Sequence, residues 1–323
     1  MPPVSLLDQT RAHFPDFSPE DVAVTPLEKG GSDRKFYRIA TGADRSLILV
    51  KYGDQREENR HYVELAHFLA DRGINVPQVY HHDAGEGLIW MQDLGEIDLW
   101  AYRNEPWSTR RKHYRRALTQ AARLHALGAE QAGDLRLQTA FDTDLYLWEQ
   151  NYFFDNCLGR HFGLGLGRRQ LPLLTGIAER LASLPRVLIH RDFQSQNIMV
   201  RDEESWLIDF QGMRPGLRQY DLASVLYDPY VDLTATERNT LLEDYRSIGG
   251  IEDADFVEIF HLCAMQRLMQ ALGAYGFLGH EKGKPEFLRH IPKALASLRE
   301  VVTEVGGLDE LEEILTGVAR SSS

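Results

Sequence analysis

The sequence predicts an α+β protein of two lobes. A small N-terminal lobe, residues 1–95, carries a five-stranded antiparallel sheet with one helix, and a larger, mainly helical C-terminal lobe spans 96–323. Three observations predict this. Short β-rich runs separated by glycine turns fill the first part of the chain, a single stretch with helical spacing interrupts them, and from Gly95 onward the pattern is helical apart from one short hairpin. A length of 323 residues suits two lobes and a substantial core.

The runs DVAVTPL, KFYRIAT and SLILVKY, divided by GGSD and GAD, read as three antiparallel strands joined by hairpin turns. In REENRHYVELAHFLADRG, Tyr62, Leu65, Ala66 and Leu69 recur at helical spacing, and Gly73 is a natural stop. VPQVYHH and GLIWMQDL supply two more strands about a further glycine turn, giving the order β-β-β-α-β-β. Helices are then expected in RRKHYRRALTQAARLHAL, in TDLYLWEQNYFFDNCL and in the C-terminal stretches DFVEIFHLCAMQRLMQALGAYGFL and FLRHIPKALASLREVV. Between them, NIMV and WLID form a hairpin across the polar RDEES.

Composition narrows the function. A formal net charge of −12 argues against a nucleic-acid backbone as the main partner, because such a partner demands a basic face. The acidic balance reads most simply as solubility. No apolar run approaches the roughly 18 residues of a membrane span, and MPPVSLLDQTRAHF lacks the pattern of a secretion signal, so a cytoplasmic location is expected. Cys157 and Cys263 are far apart and in apolar surroundings, which suggests small core residues rather than a disulfide or metal site.

The chemistry concentrates in HRDFQSQN, residues 190–197, and in WLIDFQ beyond it. Asp and Asn are poor strand and helix formers, so local propensity does not explain them there. Moving a phosphoryl group from ATP requires a cation on the phosphates, a carboxylate to orient and deprotonate the attacking hydroxyl, and a lysine on the α and β phosphates. The spacing H-R-D-x-x-x-x-N makes Asp192 the base and Asn197 a neutral metal ligand. The hairpin returns the chain to Asp209, twelve residues after Asn197, as an ionised ligand suited to Mg²⁺. Lys51, at the end of the third strand, is the expected phosphate-binding cation. Glu58 is its preferred partner over Glu64, and Gly30, Gly31 and Ser32 are expected to cover the phosphates with backbone N–H groups.

Together Lys51, HRDFQSQN and IDFQ resemble the protein-kinase-like superfamily, in its branch of aminoglycoside phosphotransferases and choline kinases. That resemblance implies a bilobal protein-kinase-like fold with ATP in the cleft, and makes MQDL, with Gln92, Asp93 and Leu94, the hinge that meets adenine. The segments EEN, QDLG, IDFQ, QRLMQALGAYGFL and GKPEFL further resemble the bacterial anomeric kinases that phosphorylate N-acetylmuramate and N-acetylglucosamine at C1 in cell-wall recycling. A small-molecule acceptor also follows from the residues themselves. Only eleven residues separate Asp209 from Asp221, too few for a long activation segment on which a polypeptide would dock.

The acceptor site is less defined. Trp148, Glu149, Tyr152, Arg267 and Tyr275 lie in segments that resemble the acceptor lobe, although the simpler reading of each is a core or surface residue. Arg267 is the best candidate, because a guanidinium in the apolar run CAMQRLMQAL requires a partner. His125 and His190 read as structural, Arg191 as a partner to a carboxylate, and Asp221 as a helix-capping or loop-anchoring residue. Aminoglycoside, choline or homoserine phosphorylation is the alternative chemistry, and a nucleotide-binding pseudokinase regulator the alternative class.

Overall fold

Apolar residues on both faces of its third strand commit the small lobe to a sheet covered on two sides. In the computed structural model, which describes residues 3–15, 17, 22–27, 34–41, 45–53, 61–168 and 171–321, β1 (Val22–Leu27), β2 (Lys35–Thr41), β3 (Arg45–Lys51), β4 (Val79–Asp83) and β5 (Leu88–Gln92) form one antiparallel sheet in the order β1-β2-β3-β5-β4. Helix α2 (Tyr62–Ala70) precedes β4, so the order read from the sequence holds. Leu47 and Leu49 join Ile39, Leu88 and Trp90 on one face. Ile48 and Val50 alternate to the other, with Met91 and with Tyr62, Leu65 and Leu69 of α2.

The first face is covered by a helix that the sequence reading did not anticipate, α1 (Pro3–His13). Its Leu6 packs into the cluster, and the Trp90 indole N–H donates to Thr10 Oγ1 at 2.9 Å. A helix with few buried apolar positions gives little periodic signal; a tryptophan hydrogen bond, Leu6 and Leu7, and the His13 ring against His81 and Trp90 hold this one.

Beyond β5 the chain enters α3 (Trp107–His125), α4 (Thr143–Phe153), which continues as a π-helical stretch over Phe154–His161, and α5 (Leu173–Ser183). Strand β6 (Val187–Ile189) pairs with β9 (Arg214–Gly216), while β7 (Ile198–Arg201) and β8 (Glu204–Leu207) make the expected hairpin. Its turn is tighter than RDEES suggested: Asp202 and Glu203 both have positive φ, 52° and 63°, the two-residue geometry whose twist matches the flanking strands. Five further helices complete the lobe: α6 (Arg218–Leu226), α7 (Ala235–Gly249), α8 (Phe256–His280), α9 (Ile291–Val305) and α10 (Asp309–Ser321).

Helix α8 is buried along most of its length and passes close to the main chain of α4 and the π-helical stretch. A Cβ at Gly273 would stand 2.7 Å from the Tyr152 carbonyl oxygen, and one at Gly276 only 2.2 Å from that of Asn156. On an exposed helix, Gly→Ala stabilises by roughly 0.5–1 kcal/mol. Here overpacking against rigid backbone outweighs that gain, so Gly276→Ala is expected to destabilise by about 1–3 kcal/mol. Urea unfolding checks it; a midpoint at or above wild type would show that the helix contact gives way without cost.

Candidate active site

The loop His190–Asn197 is held by two buried carboxylates. Asp221, in the first turn of α6, accepts the backbone N–H of His190 at 2.7 Å and of Arg191 at 2.8 Å. His125 Nε2 meets the same carboxylate at 3.0 Å, and its Nδ1 meets the Tyr245 hydroxyl at 2.8 Å, so this histidine is a satisfied core residue. Arg191 adopts φ +77°, a conformation that costs a non-glycine residue about 1–2 kcal/mol. Two hydrogen bonds to an ionised acceptor, each contributing about 1.5–3 kcal/mol, are enough to hold it there. Asp228 accepts from Ser195 N at 2.8 Å and from its hydroxyl at 2.5 Å, fixing the middle of the loop. His190 Nε2 pairs with the Ile208 carbonyl at 2.9 Å, tying the loop to the segment before Asp209.

This frame aims Asp192 and Asn197. The Arg191 guanidinium donates to Asp192 Oδ2 at 2.6 Å, and Arg267 Nη2 lies 4.0 Å from Oδ1. Burial alone would raise the Asp192 pKa, but the two guanidiniums, aided by His190, hold it below the ordinary carboxylate range. Asp192 is therefore ionised at neutral pH. Asn197 donates its side-chain N–H to the Asp192 carbonyl at 2.9 Å, which leaves its amide oxygen as the group available to a cation. Asp209 follows β8 in a left-handed conformation, φ +63°, with its side chain 40% exposed. Both protein donors to its carboxylate, Arg34 Nη2 at 2.6 Å and Gln211 Nε2 at 2.7 Å, converge on Oδ1.

Asn197 and Asp209 line a cleft of about 190 Å³ between the sheet and the helical lobe. Its apolar walls include Ile48, Met91 and Met199. Tyr62 also lines it, stacked on Phe210 with centroids 4.8 Å apart and donating its hydroxyl to Met91 Sδ at 3.4 Å. Gln92, Asp93 and Leu94 border the same space. The Asp93 side chain is committed elsewhere: Arg38 donates to it at 2.7 and 3.2 Å, and Gly95 N–H at 2.9 Å. Burial would raise its pKa, yet the Arg38 pair holds it below the usual value. The Asp93 side chain is therefore not available to meet a base.

Lys51 requires a correction. It pairs across the sheet with Lys35 and Leu88, and strand alternation puts it on the face of Leu47, Leu49 and Trp90, opposite the cleft. Among the described residues, the cation that does line the cleft is Arg34, whose side chain is 10% exposed. Glu64 is exposed and faces His61 at 3.5 Å. Glu58, Gly30, Gly31 and Ser32 lie outside the described residues.

The acceptor candidates separate. Arg267 finds its partners in Ser224 Oγ at 2.9 Å and Gln270 Oε1 at 2.7 Å, beside Asp192. Glu149 is only 1% exposed and accepts the Tyr220 hydroxyl at 2.5 Å; burial pushes its pKa up to about 7. Burial puts it out of reach of an acceptor hydroxyl, which overturns the expectation that it binds the acceptor directly. Trp148, 49% exposed, stacks on Tyr152 with centroids 4.8 Å apart, and Tyr152 packs against Phe277. Neither lines the cleft.

A five-stranded sheet facing a helical lobe, with an ionised aspartate beside two oxygen donors at the cleft between them, defines a phosphotransferase of the bilobal kind. The chain belongs to the Phosphotransferase enzyme family, whose model matches residues 23–258. It is an enzyme that phosphorylates a hydroxyl. It is 27% identical over 312 residues to an N-acetylmuramate/N-acetylglucosamine kinase of Pseudomonas aeruginosa, covering 92% of this chain and 89% of the relative. An enzyme of the same name from Neisseria meningitidis is 28% identical over 294 residues, 87% and 86% of the two chains. Among solved structures, a GDP complex of an aminoglycoside 2′-phosphotransferase superposes with a TM-score of 0.64 at 16% identity, covering 91% of this chain and 97% of that one. A choline/ethanolamine kinase family protein from Mesorhizobium loti gives 0.62 at 16% identity, covering 98% and 99%. These confirm the protein-kinase-like fold. No helix among the described residues is long and apolar enough to cross a membrane.

Proposed function

We propose that this enzyme transfers the γ-phosphoryl group of ATP, with Mg²⁺, to a sugar hydroxyl, namely the anomeric C1 hydroxyl of N-acetylmuramate or N-acetylglucosamine. The observation that carries the reading is Asp192, ionised between Arg191 and Arg267 and joined through Asn197 to the cleft that Asp209 lines. Asp192 would accept a hydrogen bond from the acceptor hydroxyl, orient its oxygen in line with the phosphoryl group and take up its proton. Asn197 and Asp209 would hold Mg²⁺; two protein oxygens are what this ion takes when phosphate and water complete its octahedron. When bound, the ion neutralises charge on the phosphates. The main chain of Leu94 and the apolar walls of the cleft would receive adenine.

The sugar assignment rests on the names of the relatives and on charge. Beside Asp192 stand the guanidiniums of Arg191 and Arg267, and Arg214 lies near enough to feel the charges of Arg191 and Asp192. A cationic aminoglycoside or choline would be repelled there, whereas a neutral amino sugar, or one bearing a lactyl carboxylate, would not. Incubation with ATP, Mg²⁺ and separately N-acetylmuramate, N-acetylglucosamine, kanamycin and choline tests this. The expected product is a sugar phosphate that resists borohydride, because phosphorylation at C1 removes the reducing end. A phosphorylated aminoglycoside or amino alcohol, or a product that still reduces, would replace this reading.

A further inference from the structure

We propose that Arg34, rather than the strand lysine, is the cation that grips the nucleotide's phosphates, and that before nucleotide arrives it occupies the metal-binding carboxylate of Asp209. The inference rests on the phosphotransferase reading of the cleft and is independent of which acceptor is used.

Arg34 stands directly before β2, at the end of the glycine-containing segment GGSD, and its side chain enters the cleft beside Asp209, Asn197 and Met91. The guanidinium lies 5.6 Å from the Phe36 ring centroid and 2.6 Å from Asp209 Oδ1. Lys51 has the opposite orientation because the register of β2, β3 and β5 assigns it to the face under α1. Where a lysine in the cleft would need a carboxylate from α2, Tyr62 presents a hydroxyl bonded to Met91. The cleft thus draws positive charge from the residue directly before β2.

A guanidinium is well suited to the exchange this implies. Its planar fork matches carboxylate and phosphate alike, and it stays charged throughout. A divalent cation arriving at Asp209 competes with Arg34 for the same carboxylate and repels it electrostatically. Phosphates arriving with that cation offer Arg34 a new anion. Asp209 exchanges guanidinium for metal, Arg34 exchanges carboxylate for phosphate, and at neither stage does a half-buried charge stand unpaired. Mg²⁺ and nucleotide should accordingly favour one another's binding, with Arg34 as the coupling group.

The test is binding without acceptor, by calorimetry with a non-hydrolysable ATP analogue in Mg²⁺ and by titration of Mn²⁺ alone, on folded Arg34→Ala, Arg34→Lys and Lys51→Ala proteins. Loss of a charge-assisted contact should weaken the analogue about tenfold or more in Arg34→Ala. Mn²⁺ alone should bind that variant more tightly than wild type, because its competitor is gone. Arg34→Lys should recover part of the analogue affinity, and Lys51→Ala should stay within about twofold of wild type. Opposite movements of nucleotide and metal affinity are something a merely structural arginine would not produce. The proposal is overturned if Lys51→Ala loses the analogue while Arg34→Ala keeps it, or if Arg34→Ala loses analogue and Mn²⁺ together. A wrong acceptor assignment would leave every one of these values unchanged.

Discussion

Asp192→Asn should yield a folded protein that still binds nucleotide and turns over about 10²- to 10⁴-fold more slowly, the cost of removing the base proposed here. The substitution preserves shape, so the loop held by Asp221 and Asp228 keeps its path. What changes is charge. Arg191 and Arg267 would face a neutral amide, and the acceptor hydroxyl would lose the one anionic oxygen able to take its proton. Breaking a buried pair by removing one partner destabilises by about 3–5 kcal/mol; Asp192 is a quarter exposed, so a smaller loss is expected. Steady-state turnover set against the nucleotide dissociation constant separates the two effects. Wild-type turnover in this variant would remove Asp192 from the chemistry altogether.

Asp209→Ala should abolish the dependence of nucleotide affinity on Mg²⁺. Losing even an outer hydrogen-bond partner of a metal ligand typically costs about 10- to 100-fold in metal affinity, and loss of the only ionised protein ligand proposed here should cost at least that. Nucleotide binding measured with Mg²⁺ and with a chelator should give two distinct constants for wild type and one for the variant. Arg34 and Gln211, both of which now donate to the missing carboxylate, would be left without it. If Mg²⁺ strengthens binding equally in both proteins, the ion is held elsewhere.

The parts of this site that were legible in the sequence are the local ones. Asp192 and Asn197 share one loop, and Asp209 returns to them through a hairpin whose turn, Asp202 and Glu203, fixes the register over a few residues. Spacing along the chain is then spacing in space. Lys51 failed for an identifiable reason: in LILVK four successive apolar residues are buried, two on each face, so alternation cannot say which way the fifth points. Arg34 lies between GGSD and KFYRIAT, and only the fold shows that its side chain lines the cleft. Helix α1 escaped notice because little of its surface is apolar, and the grouping of Arg191, Arg214, Arg267 and Glu149 draws on four separate stretches of chain that only the tertiary fold assembles. The order of strands and helix along the chain was readable because each strand boundary carried its own turn residues.

Asp93 has one more implication. Its carboxylate is bound to Arg38 of β2, and its carbonyl accepts from Arg201 at the end of β7, so the crossing between the lobes is braced from both sides. Jaws joined at a welded corner keep a fixed gauge. The choice among purine and pyrimidine bases would then be made by width and by the outline of the slot, settled before any particular edge of the ring is sampled.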